Sequence, residues 1–79
     1  MSIDNIIKLF KQYDPSLTIK AIYNAPNGYL IIASEIENEI DYNDPNYFMS
    51  NTGHIEEYSL FDIDAFFKII EKDPIYNIW

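Results

Sequence analysis

A chain of 79 residues, 48% hydrophobic and 16% aromatic, is long enough for one domain whose core is marginal unless most apolar positions contribute to it. Its formal net charge of -8 sets 13 carboxylates against 5 lysines, a balance that repels nucleic acid and anionic membranes and favours a basic partner. The lack of cysteine excludes a disulfide or thiolate zinc site and fits a reducing compartment.

The opening Met1-Ser2-Ile3-Asp4 has no basic segment, and the longest apolar run, 29–33, is too short to span a bilayer. Neither a signal peptide nor a membrane span is expected, so the chain reads as cytoplasmic. It has neither arginine nor valine and is rich in Ile, Asn, Lys and Tyr. That bias follows AT-rich codons and points to a bacterial or phage genome.

The first expected element is a helix. Ser2 caps it, Ile3, Ile6, Ile7 and Phe10 recur at helical spacing with Leu9 and Tyr13 widening the stripe, and Asp14-Pro15 ends it. A hairpin follows, in which Leu17, Ile19, Ala21 and Tyr23 alternate with Thr18, Lys20 and Ile22 before a turn over 24–28 that ends in Gly28. The second strand starts at Tyr29 and is expected to run to about Asp41. Its first half (Leu30, Ile31, Ile32, Ala33) is apolar on both faces, as in a central strand.

A polar loop over 42–46 leads to a short strand at Tyr47, Phe48 and Met49. Asn51-Thr52-Gly53 makes the next turn, and a fourth strand covers 54–58. Ser59 or Asp62 caps the last helix, with Ile63, Phe66, Phe67 and Ile70 as its buried face and Asp73-Pro74 as its stop. The resulting expectation is a single α+β domain, 1–79: helix, four-stranded antiparallel meander, helix, with both helices on one sheet face. The tail Ile75-Tyr76-Asn77-Ile78-Trp79 is unusually apolar. It is expected to dock on the sheet, or otherwise to form a homodimer contact through Ile75, Tyr76, Ile78 and Trp79 or an anchor for a partner.

Charge is unevenly spread. Between Lys20 and Lys68 there is no lysine or arginine, while Glu35, Glu37, Glu39, Asp41, Asp44, Glu56, Glu57, Asp62 and Asp64 all fall in that interval. On a strand, Glu35, Glu37, Glu39 and Asp41 would share one face at a spacing of ~7 Å. Repulsion between neighbours would cost roughly 0.6 kcal/mol per pair even at the dielectric of water. That spacing is about two phosphate rises of a DNA strand, each ~3.4 Å, so the ladder could mimic nucleic acid in a basic groove. The competing reading is a solvated face that keeps a sheet edge from aggregating, a common use of charge on strands.

Other chemistry finds little footing. Asp41-Tyr42-Asn43-Asp44-Pro45-Asn46 lacks the glycine and the bidentate glutamate of a calcium loop. His54 stands alone at an exposed strand start with no oriented partner, so neither a catalytic residue nor a metal site is expected. Gly28 and Gly53 belong to turns rather than a phosphate loop, no cofactor motif is present, and the lack of basic patches argues against direct nucleic-acid binding. Phe10, Phe61, Phe66 and Phe67 read as core, whereas the many tyrosines exceed what a small core needs. Exposed ones such as Tyr42 and Tyr47 suit a protein interface.

The run Asp44-Pro45-Asn46-Tyr47-Phe48, then Asn51-Thr52-Gly53-His54-Ile55, then Glu57-Tyr58-Ser59 resembles a strand-turn-strand stretch of small bacterial immunity proteins, which neutralise a cognate toxin. The resemblance covers that stretch, implies that the chain is itself a small, acidic, protein-binding protein, and assigns no functional residue. The apolar C-terminus departs from it. The expectation is therefore a non-enzymatic acidic protein that inhibits a basic target (a toxin, nuclease or nucleic-acid-binding effector). Glu35, Glu37, Glu39, Asp41, Asp44, Tyr42, Tyr47, Glu56 and Glu57 form its contact surface. The alternative is a self-assembling structural protein whose acidity keeps it soluble.

Overall fold

The computed structural model describes residues 1–35, 46–57 and 63–78, with only the backbone of Ile63. Helix α1 (Ile3–Tyr13) starts where expected: the Ser2 hydroxyl accepts from the Asn5 N–H at 3.2 Å, satisfying one of the unpaired donors of the first turn. It ends at Asp14, in extended backbone, whose N–H donates to the Phe10 carbonyl. Ile6 and Phe10, one helical turn apart, are fully buried, each contributing about 1.5–3 kcal/mol by leaving water.

Strands β1 (Thr18–Ala25), β2 (Gly28–Ser34), β3 (Asn46–Ser50) and β4 (Ile55–Glu57) form an antiparallel meander. Helix α2 (Ile63–Ile70) follows. A fifth strand, β5 (Tyr76–Asn77), then pairs antiparallel with β1, giving the sheet order β4-β3-β2-β1-β5. The expected four-stranded sheet thus gains a strand from the tail. The N–H groups of Ile75 and Ile78 donate to the carbonyls of Ile22 (2.8 Å) and Lys20 (3.2 Å), and Ile75 and Tyr76 pack partly buried against the core. An apolar tail and the otherwise open edge of β1 thereby cover each other.

β2 is the middle strand, and Leu30, Ile31, Ile32 and Ala33 are all buried, as its two apolar faces require. Successive residues alternate between faces. Ile22, Tyr29, Ile31, Ala33, Tyr47, Met49 and Ile55 gather with Ile6 and Phe10 of α1. Leu30 and its partner Phe48 point the other way. There α2 brings Ala65 and Ile69 up to Phe48 and Ala25. The helices therefore lie on opposite faces, not on one, because a central strand apolar on both sides needs a cover on each. The buried stripe of α2 differs accordingly: Ile69 is buried and Phe67 is 51% exposed, whereas Phe67 was expected in the core. Phe66 and Ile70 are partly buried; Phe61 lies outside the described residues.

Strand β2 stops at Ser34, before the first glutamate of the ladder. Its expected run to Asp41 passes beyond Glu35 into residues not described, as do both proposed caps of the last helix. In β1 a bulge between Ile19 and Ala21 adds Lys20 as an extra residue, and its side chain is only 1% exposed. An ammonium buried so deeply needs polar partners. Lys20 is engaged, and among the described residues no buried side-chain nitrogen or oxygen lacks a hydrogen bond.

The first hairpin turns through Pro26-Asn27, and Asn27 carries the positive φ of 66°. Proline followed by a left-handed residue is the type II pattern. Gly28, which follows this turn, is required for its small size: an added Cβ would strike the Met49 carbonyl oxygen and lie 2.8 Å from Phe48 Cζ. The β3–β4 turn is tied at Ser50. Its carbonyl accepts from the Gly53 N–H (2.9 Å), and its hydroxyl accepts from the His54 N–H (3.0 Å).

Candidate functional site

Three elements bring an aromatic and acidic group together at one end of the sheet. The C-terminal turn of α1 supplies Tyr13 and Asp14, β3 supplies Tyr47, and β4 supplies Glu57. Tyr47 and Glu57 are cross-strand partners, and the same row continues through Ile31 to Ile22 under α1. The Tyr47 ring stands edge-on to Phe10 at 5.2 Å and to Tyr13 at 6.0 Å. Phe10 and Tyr13 are themselves 5.9 Å apart. Such edge-to-face pairs are worth about 0.5–1.5 kcal/mol beyond their buried area. Buried Phe10 thus anchors a ring cluster whose outer member, Tyr13, is 47% exposed.

The carboxylates around the cluster are held differently. Asp14 Oδ1 accepts from both the N–H (3.0 Å) and the hydroxyl (2.6 Å) of Ser16, a turn that fixes its side chain against the helix end. Glu57 is exposed on the edge strand. Burial pushes the Tyr47 phenol above its ordinary titration range, and Glu57, Tyr13 and Asp14 push it further the same way, because each disfavours a phenolate beside it. Tyr47 accordingly stays a neutral hydrogen-bonding group amid negative charge.

Of the residues expected to form the contact surface, Tyr47 and Glu57 are brought together. Glu56 pairs with Phe48 and, as the neighbour of Glu57 along β4, points to the α2 face. Glu35 is exposed just past the end of β2, beyond the last β2–β3 pair, Ile32 with Asn46. Glu37, Glu39, Asp41, Tyr42 and Asp44 lie outside the described residues. Tyr47, expected to be exposed, is half-buried under Tyr13.

In the sequence, Tyr13 marks only the end of an apolar stripe and Asp14 a helix stop, and neither is among the expected contact residues. The signal was there: an aromatic with a polar tip at the last position of a stripe, one turn after Phe10, followed by a carboxylate.

Tyrosine faces offer a negative quadrupole to a cation, and the flanking carboxylates accept charge-assisted hydrogen bonds. The grouping is suited to receiving a guanidinium or ammonium group. Of the lysines, Lys8 and Lys11 are exposed on α1, Lys11 in the last turn that also carries Tyr13; Lys68 and Lys72 belong to α2 and the turn after it, and Lys20 is buried.

Among the described residues no helix is long and apolar enough to cross a membrane. No family model, curated protein or solved structure matches the chain.

Proposed function

We propose that the chain is a non-enzymatic interaction protein that binds and inhibits a basic protein: a toxin, a nuclease or a nucleic-acid-binding defence effector. The observation that carries this reading is the convergence of Tyr13 and Tyr47 with Asp14 and Glu57 at one end of the sheet. Tyrosines supply the desolvated contacts that dominate interface energies, while surrounding carboxylates steer a basic partner and select against acidic ones. Glu35, Glu37, Glu39, Asp41 and Asp44 extend the negative charge along the sequence, and that acidic run would compete with nucleic acid for a basic channel. Glu56 and Tyr42 complete the contact. The resemblance to immunity proteins points the same way.

Pairing of the tail with β1 of the same chain favours this reading over a self-assembling structural protein, which would need Ile75, Tyr76 and Ile78 free. The test is affinity capture from a low-GC bacterial lysate with the wild type and the Tyr13→Ala/Glu57→Lys variant side by side. A basic protein held by the wild type, released by salt and ignored by the variant supports the proposal. A partner retained equally by both, or unaffected by half-molar salt, contradicts it.

A further inference from the structure

Away from the acidic end, a groove of about 640 Å³ opens between α2 and the first hairpin, within the range of roughly 300–1,000 Å³ typical of small-molecule sites. Pro26 and Phe48 line it from the sheet side, Ala65 and Ile69 from the helix, and Lys68 and Lys72 stand beside them. Lys68 lies in the last turn of α2 and Lys72 in the turn that follows it, and both line the same groove. Among the described residues, no carboxylate lines the groove.

From this conjunction we infer that the groove binds a small amphipathic monoanion, an apolar body with one carboxylate head. The body would lie on Phe48 and Ile69. The head would meet the two ammonium groups, whose own stems cover apolar surface while their tips stay in water. The net charge of -8 disfavours a large polyanion, because its outlying charges would meet the acidic remainder of the molecule. A single small anion has no outlying charges to meet it. This site uses none of the residues of the acidic and aromatic end, so either proposal can fail without the other.

The test is titration of the isotope-labelled full chain with decanoate and, separately, with decanol, followed by amide chemical shifts. Decanoate is expected to shift Phe48, Ala65 and Ile69 saturably, and decanol to bind about tenfold or more weakly. Lys68→Glu/Lys72→Glu, on two exposed positions, should keep the melting temperature, lose decanoate affinity by a similar factor and leave decanol unchanged. Shifts that fall elsewhere, no saturable shift with decanoate, or equal decanoate binding by the double variant would overturn the inference.

Discussion

Tyr47 on β3 and Glu57 on β4 face each other as a cross-strand pair, and a half-buried phenol thereby sits beside an exposed carboxylate. Like charge would build up at once if Tyr47 ionised. The pair is therefore held as one neutral donor and one anion, an arrangement that suits a cationic visitor and no anionic one.

The raised Tyr47 titration has a stability consequence. A group whose folded pKa exceeds its unfolded value keeps its proton longer in the native state, so its contribution is complete below the unfolded value of about 10. Above that, the unfolded chain loses the proton first and stability falls as pH rises through the folded value. Phenolate absorbance, read as the difference from Tyr47→Phe, should show Tyr47 titrating above its ordinary value of about 10. Glu57→Gln should lower its pKa only in part, since burial is the leading cause. A complete return to the ordinary value would contradict that order of causes.

Gly28 and Asn27 should respond oppositely to substitution. Gly28→Ala drives a methyl into the Met49 carbonyl and Phe48 and should cost about 1–3 kcal/mol or more in urea unfolding. Asn27→Gly relieves a positive φ at the neighbouring position and should be nearly neutral. Val at 27 should cost about 1–2 kcal/mol.

Removing residues 75–79 should expose the edge of β1, because the Ile75 and Ile78 hydrogen bonds and strand β5 go with them. The truncated chain is expected to lose stability and to self-associate with concentration in analytical ultracentrifugation. A stable monomer after truncation would show that β5 does not guard that edge.

How much of this could be read in advance depended on whether local chemistry decided the outcome. Ser2, Ile6, Phe10 and Asp14 announce α1 because cap, stripe and stop are all local, and the alternation of β1 and the turns at 26–27 and 51–53 do the same for the meander. The placement of α2 was partly legible. Leu30 and Ile31 are adjacent and both apolar, which already implies two covered faces, yet only the packing shows that Ala65 and Ile69, not Phe67, meet the sheet. The bulge at Lys20 and the pairing of Tyr76 with Ile22 are long-range facts with no local signal beyond an apolar tail. At the site, Tyr47 and Glu57 were singled out by residue type and charge. Their pairing with each other, and with Tyr13 across the helix end, follows from register alone.

If the aromatic cluster contributes binding energy and the outlying charges mainly steer, their substitutions should differ in kind. Tyr13→Ala leaves the buried Phe10 in place and should slow nothing but weaken a complex by about 2 kcal/mol through faster dissociation. Glu35→Gln should chiefly lower the association rate and its salt dependence. Stopped-flow and surface-binding kinetics on a captured partner separate the two.

The most direct test of the central claim is an amide and aromatic shift titration of the chain with a short oligo-arginine peptide, with oligo-lysine of equal length beside it. Arginine stacks on aromatic faces as well as pairing with carboxylates, whereas lysine acts mostly as a point charge. The account predicts saturable shifts centred on Tyr13, Tyr47 and Glu57, stronger for arginine, and lost in Tyr13→Ala/Glu57→Lys. Equal, diffuse shifts at every exposed carboxylate, with both peptides and in the variant alike, would contradict it and leave only a uniformly acidic surface.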